Sequence, residues 1–329
     1  MADATAGAGS PGTSHSFSTA LRGGFSLKLR RRLTPYVFVG PVLVGLILFL
    51  VYPLLAAIWF SFTRFNMIQA PEWVGLDNWR FLFQDDNVVK AARNTLWLVV
   101  VMVPARMLGA LLTALLLNQV KRGRSVYRTL FYLPALAPPV AATLAFVLLL
   151  KPGTGPVNTL LSHLGVSDPP LWFNDPDWSK PSLVLLALWG VGDLMMIFVA
   201  ALLDVPVELH EAASLDGAGT WQRFRFVTLP GISPVLLFAA ITGIIGTLQY
   251  FTQAAVAASV ASGEVTGGGG ISDTFGYPNG STYTYPLWLY IVGFRYHVLG
   301  YANVLAVVLF LVSIAATLIL LRRFREYAR

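Results

Sequence analysis

The 329-residue chain contains no cysteine, which excludes disulfide staples, thiol nucleophiles and thiolate metal sites. Its four histidines, His15, His163, His210 and His297, are scattered, so no metal-binding spacing is present and each reads as a satisfied surface or interface residue. The five lysines are followed by Leu29, Ala91, Arg122, Pro152 and Pro181; no Gly-Lys-Ser/Thr loop exists, and the chain has no phosphate cradle for ATP. Ten-residue alternating strands are missing, which argues against a membrane barrel. Charge is scarce as well, at 12% of residues.

What is abundant is apolar sequence, 56% of the chain, much of it in blocks of 20 or more. About 20 residues span a hydrocarbon core of about 30 Å, and each span must close its own backbone hydrogen bonds. The expectation is an all-α polytopic membrane protein with six transmembrane helices, at Tyr36–Phe62, Asn94–Leu117, Leu130–Leu150, Ser182–Leu203, Ile232–Val256 and Gly300–Leu321. Pro41 and Pro104 are candidates to kink the first two.

Cations sort by side. Fifteen Lys and Arg flank one set of helix ends, from Arg22 and Lys28 through Lys121–Arg128, Arg223, Arg225 and Arg322–Arg329, against seven on the other. Positive flanks stay inside, so both termini are expected to be cytoplasmic in a bacterial cell membrane. The net charge of +7 is then a topology signal and a contact with the lipid bilayer rather than a nucleic-acid footprint.

The expected organisation is a flexible basic cytoplasmic tail over 1–34, a first transmembrane helix and outer loop over 35–90, a membrane core over 91–322 and a cytoplasmic C-terminal tail over 323–329. In the outer loops, aromatic residues Trp73, Trp79, Phe81 and Phe83 suggest folding over the outer surface, and the prolines of 151–181 suggest rigid turns. Gly267–Gly270 reads as a mobile loop, Pro278-Asn279-Gly280 as a turn, and Pro286–His297 as a short interfacial helix.

Between spans four and five lies the polar stretch EAASLDGAGTWQRFRFVTLP, Glu211 to Pro230. Pro206 limits the preceding helix, Val207–Ala213 favours helix, Asp216–Gly219 breaks it, and Thr220 is placed to cap a second short helix from Trp221. Leu229 and Pro230 are expected to stop that helix. Ala212, Ala213, Gly217, Ala218 and Gly219 permit close approach of another backbone. A helix, a turn and a helix on the cytoplasmic face suit docking rather than catalysis; an ordinary amphipathic connector is the alternative.

The pattern Glu211-Ala212-Ala213, three residues, Gly217, nine residues, Val227, one residue, Leu229-Pro230 resembles the EAA motif of permease subunits in binding-protein-dependent ABC importers. Val227 stands where the motif usually shows Ile. With Val205, Pro206, Glu208, Leu209, Trp221, Gln222 and Phe224 the segment is similar to the sugar-permease branch, the maltose and glycerol-phosphate type. The likeness extends over about residues 35–325. It implies a type I importer permease fold and half of a translocation pore. The implied partners are a second homologous permease, an ABC ATPase dimer that binds the ATP, and an extracytoplasmic solute-binding protein. Over 204–230, Glu211 would contact the ATPase, Ala212 and Ala213 would pack against it, and Gly217 would make the turn, with Asp216, Ala218, Leu229 and Pro230 completing the coupling segment.

Intramembrane polar groups mark candidates for the solute path. Arg106 and Asp193 lie near the middles of spans two and four and read either as a polar wall of the path or as an interhelical ion pair. Gln249 and Gln253 are four apart, with Tyr250 beside them; on one helix they would share a face. Such groups suit sugar hydroxyls and ring faces and serve equally as helix-helix contacts. A gradient-driven secondary transporter is the alternative function, but Asp193 is the only acid deep in a span and no inverted repeat is visible. A lipid-linked enzyme is disfavoured, because Asp175 and Asp177 sit in a Pro-rich turn.

Overall fold

The computed structural model describes residues 36, 38–120, 122–263 and 274–327. The expected tail over 1–34 and the glycine run Gly267–Gly270 lie outside the described residues. The chain divides into two units between Ala57 and Ile58. The apolar helix α1 (Phe38–Phe60) contains a π-helical turn at Ile47–Val51.

From Ile58 onward the chain opens with a two-stranded ribbon, β1 (Thr63–Arg64) antiparallel to β2 (Glu72–Trp73), Thr63 facing Trp73. Helix α2 (Asp77–Leu82) follows. Helix α3 (Asp86–Gln119) runs unbroken for 34 residues and continues through Pro104, which makes it about 51 Å long at 1.5 Å per residue. It is the rod on which the unit is built. Val88 and Ala91 pack with an aromatic-rich cluster near its start, Leu98 and Met102 with a middle cluster, and Ala110, Leu111, Ala114 and Leu117 with a third cluster at the far end. Arg124 closes that far end, donating from Nε to the Leu117 carbonyl at 3.1 Å and from Nη2 to Asn118, where α3 leaves its last carbonyls unpaired.

Three of the expected spans are not single straight helices. Leu130–Leu150 resolves into α4 (Arg124–Tyr132), a 3₁₀ turn at Leu133–Leu136, and α5 (Pro139–Leu149), bent by 95°. The reason is local: Ala137 and Pro138, with ψ of 133° each, both precede prolines, and the residue before proline is driven out of the helical region. After the short helix α6 (Pro156–His163), the fourth span becomes α7 (Pro176–Trp189) and α8 (Gly192–Asp204), bent by 50° at Gly190–Val191. The polar segment forms α9 (Val207–Leu215) and α10 (Thr220–Gly231).

The fifth span, expected over Ile232–Val256, is α11 (Ser233–Leu248) and a separate α12 (Thr252–Ala261). Gln249 ends α11 at φ −99°, ψ 17°, and Phe251 begins α12 at φ −113°, ψ −62°. Helices α10 and α11 meet at 66°. Helix α13 (Tyr285–Tyr290) passes into a π turn at Ile291–Arg295, and α14 (Leu299–Tyr327) is the last described element. The first helix, α3 and α14 are each long and apolar enough to cross a membrane, and the three bent pairs bring the number to six if each counts once.

Of the segment expected as an interfacial helix, Leu287, Trp288, Ile291 and Val292 are buried in the core, while Phe294 and Tyr296 remain exposed. What holds it is Asp85, only 7% exposed. Its Oδ1 accepts the Asn87 N–H at 3.0 Å as the N-cap of α3, while Oδ2 accepts the Trp288 indole at 2.9 Å and the Tyr301 hydroxyl at 2.8 Å. One carboxylate thus joins the starts of α3, α13 and α14. Nearby, Asn94 Nδ2 donates to the carbonyls of Gly280 and Tyr283, and Lys180 Nζ donates to Asn94 Oδ1 at 3.2 Å.

Replacing Asp85 with Ala removes a cap of about 1 kcal/mol and leaves two buried donors unpaired at about 1–3 kcal/mol each. The expected result is a thermal midpoint in detergent lowered by the equivalent of at least about 3 kcal/mol. Trp288→Phe should then cost less in the Asp85→Ala background than in the native chain, because the two share one network; strictly additive losses would contradict that network.

Candidate functional site

The three helix breaks converge. A cavity of about 210 Å³ is lined by Ala137 and Pro139 from the first break, Trp189 and Gly190 from the second, and Tyr250 from the third, together with Gln253, Arg106 and Asp193. Backbone that leaves the helix at membrane depth is tolerated where it lines a cavity, since water or a solute takes over the bonds the helix gave up. A second cavity of about 150 Å³ adjoins the same pair, bounded by Arg106, Asp193, Thr242 and Thr247.

Arg106 and Asp193 pair, and both side chains line the two cavities. The Nη2–Oδ1 distance is 3.4 Å, long against about 2.7–2.9 Å for a tight charge-assisted bond. The two side chains retain 30% and 60% exposure, so the pair adds little stability of its own. Oδ1 of Asp193 also accepts the Leu194 N–H at 2.7 Å, fixing the carboxylate at the start of α8. Arg106 Nε is covered and unpartnered. A loose ion pair with an open carboxylate can exchange partners with a polar solute.

Gln249 and Gln253 do not share a helical face, because α11 ends at Leu248 and the break separates them. Tyr250 and Gln253 line the larger cavity, whereas Gln249 is exposed and lines neither. Trp189 is the residue that sequence reasoning missed; its ring lies 5.4 Å from Phe146 and borders the cavity. The signal was present in Trp189-Gly190-Val191-Gly192, an aromatic residue beside a glycine-interrupted span. Together the wall offers an acceptor in Asp193, donors in Arg106 and Gln253, and aromatic surface in Trp189 and Tyr250.

The polar segment is built around Gly217. Helix α9 closes with the Ala218 N–H bonded to the Ala213 carbonyl at 2.9 Å and the Gly217 N–H to Ser214 at 3.1 Å, the paired bonds of a Schellman cap, with Gly217 at φ +81°. The second arm is capped by Gly219 rather than Thr220: Gln222 Oε1 accepts the Gly219 N–H at 2.8 Å. That arm is also not stopped at Leu229-Pro230 but runs on to Gly231. Its root is fixed, since Phe224 and Val227 pack onto the cluster containing Val205, Leu202 and Ile232, and Gly231 lets Val205 approach so closely that an added Cβ would lie 3.1 Å from it. By contrast α9 buries no residue. Glu211, Ala212, Asp216 and Gly217 are exposed, Ala213 and Ala218 half-buried, and Leu215 is 90% exposed. A rooted arm presenting an exposed one, with bare apolar side chains, has the form of a docking element.

The broken spans, the central cavity and the polar knob together define the transmembrane part of a transporter. Residues 106–325 match the family described as binding-protein-dependent transport system inner membrane component. The chain belongs to that family. It is 34% identical over 291 residues to the probable ABC transporter permease protein YesP of Bacillus subtilis (strain 168), covering 88% of this chain and 90% of that protein. It is 33% identical over 275 residues to the lactose transport system permease protein LacF of Rhizobium radiobacter, covering 82% and 87%. The fold matches a chain of a bacterial ABC transporter involved in the import of the acidic polysaccharide alginate, with TM-score 0.73 at 22% identity over 93% of this chain and 99% of that one.

Gly192 tests the packing beside the cavity. A Cβ there would sit 2.5 Å from the Phe131 carbonyl oxygen and 2.8 Å from Tyr132 Cα, backbone that cannot step aside. Gly192→Ala should cost about 1–3 kcal/mol in thermal unfolding, whereas Gly246→Ala, with nothing within 4 Å of the new carbon, should be neutral or stabilising.

Proposed function

We propose that this chain is one half of the translocation pore of an ATP-driven sugar or oligosaccharide importer. The observation that carries the reading is the convergence of three helix breaks on one cavity walled by Arg106, Asp193, Trp189, Tyr250 and Gln253, the arrangement by which transporters bind solutes at mid-membrane. The name of LacF supports a sugar, since that relative is a lactose system permease, and the acceptor, amide and aromatic groups of the cavity suit hydroxyls and ring faces.

The chain has no Gly-Lys-Ser/Thr loop, so ATP is bound and hydrolysed by an ABC ATPase dimer. Residues 204–230 couple to it: α9 enters the ATPase, Glu211 makes polar contacts, Ala212 and Ala213 pack, Gly217 holds the turn, and Asp216, Ala218, Leu229 and Pro230 shape the segment. A second homologous permease completes the pore, and a solute-binding protein delivers the sugar on the outer side. Both termini are cytoplasmic, in line with the fifteen-to-seven division of cations. The core over 91–322 carries this function, with the tail over 1–34, the segment 35–90 and the tail over 323–329 peripheral to it.

Gly217→Asp should lower ATP-dependent sugar uptake by at least about tenfold, or about 1.4 kcal/mol of coupling, while the chain still inserts in the membrane. An ATPase should co-purify in mild detergent with the native chain and be lost with the variant. Uptake that survives ATP depletion, with no ATPase bound to either form, would instead establish a gradient-driven transporter.

A further inference from the structure

Helix α4 leads from the far end of α3 to the Arg106–Asp193 pair. Its first residue, Arg124, donates to the Leu117 carbonyl at 3.1 Å, and the backbone of its last two, Phe131 and Tyr132, lies against Gly192, next to Asp193. Along that course Ser125, Arg128, Thr129 and Tyr132 fall at i, i+3, i+4 and i+7, so they share one face. With Met196, one turn on from Asp193 in α8, they line a cavity of about 360 Å³. The cavity at the three helix breaks takes up the chain two residues later, at Pro134 and Ala135. The polar face of α4 thus carries on from that cavity toward the end of α3.

The charges along this course do not balance. Arg106 has Asp193 at 3.4 Å, and Arg124 is spent on the carbonyls of Leu117 and Asn118. Arg128 has neither kind of partner. Its Nε and Nη2 are covered and have no acceptor, and among the described residues no carboxylate forms an ion pair with it. A half-buried guanidinium left in this way calls for an anion on its open side, and for Arg128 the open side is the cavity. Cations placed along a membrane pathway select for anions, and the planar guanidinium fork matches a carboxylate. Thr129 already donates to the Ser125 carbonyl at 3.0 Å, which leaves the Ser125 and Tyr132 hydroxyls for the hydroxyls of a solute and the Tyr132 ring for its apolar face.

We propose that the Arg128 cavity is a second solute station, between the Arg106–Asp193 pair and the inner opening of the path, and that it takes a saccharide bearing a carboxylate, whose oxygens supply the acceptors that Arg128 lacks. The inference rests on the transport reading above and narrows its solute from sugars in general to acidic ones.

Because the chain has no cysteine, a thiol placed on α4 reports on its own position. Full chains carrying Thr129→Cys or Leu130→Cys, in inside-out membrane vesicles of the native host, are treated with an anionic and a cationic water-soluble thiosulfonate, each rate on this chain being divided by that for a free thiol. Thr129→Cys should react at least about tenfold faster than Leu130→Cys, which is exposed on another side of α4. At Thr129→Cys the anionic reagent should be favoured about tenfold, and adding R128Q, but not R128K, should abolish that preference. Disaccharides ending in glucuronate or galacturonate should slow the labelling where their neutral parents do not, and R128Q, shown to be folded by its thermal midpoint, should remove the protection. No reaction at Thr129→Cys, or equal reaction at Leu130→Cys, overturns the station; this includes the case in which a partner subunit covers Arg128. A charge preference unchanged by R128Q overturns the role of Arg128. Equal effects of acidic and neutral sugars, no effect of either included, overturn the acidic solute. Labelling needs no ATP, so these outcomes are read independently of the Gly217→Asp uptake experiment that tests the transport reading itself.

Discussion

Every peptide group inside a hydrocarbon layer must find its hydrogen bond within the protein or in a cavity, because lipid offers none. This constraint explains both the regular and the irregular parts of the chain. Helix α3 meets it by running unbroken for 34 residues, even through Pro104. Three other spans break, at Ala137–Pro138, Gly190–Val191 and Gln249–Phe251, and residues from all three breaks line the same cavity. Had the breaks been dispersed over the lipid-facing surface, each would have stranded backbone polar groups at several kcal/mol apiece. Gathered together, they make a polar lining from backbone that a continuous helix would have hidden.

The cavity and the polar knob are joined by one short element. Helix α8 is 13 residues long, about 20 Å at 1.5 Å per residue. Asp193 stands in its first turn against Arg106, and Val205, just past its last residue, packs with Ile232 beneath the root of α9 and α10. Between them Met195, Phe198, Val199 and Leu202 bury their side chains against α3. The root of the knob is thus packed onto α8, and α8 carries half of the ion pair.

Much of the fold could be read from residue order, and what could not be read has identifiable causes. The apolar blocks located α1, α3 and α14, because a long unbroken run has one structural solution in a membrane. Pro138-Pro139 and Gly190-Val191-Gly192 announced two of the breaks, yet hydropathy alone smoothed over them. The third break gave no such signal: Gln249-Tyr250-Phe251 contains neither glycine nor proline, and only tertiary packing separates Gln249 from Gln253. In the polar segment the turn at Gly217 was legible, while the cap passed to Gly219 because the Gln222 amide reaches its N–H, a choice that Thr220 obscured. Asp85 was hidden among the acids of the outer loop, since its partners Trp288 and Tyr301 lie more than 200 residues away.

The distribution of strain and freedom around α8 fits a rigid lever. The helix is bounded at one end by the bend at Gly190–Val191 and at the other by Val205, ψ 120°, followed by Pro206. Both boundaries are points where the chain has already left helical geometry, so a small rotation there costs no intrahelical bond. The body of α8, by contrast, is held by close packing that resists deformation, and at Gly192 its backbone lies against that of Phe131 and Tyr132 of α4. Between the knob and the ion pair the structure offers packed helices rather than loops. Because the Arg106–Asp193 contact is loose at 3.4 Å, it is the bond in that chain of contacts most readily remade.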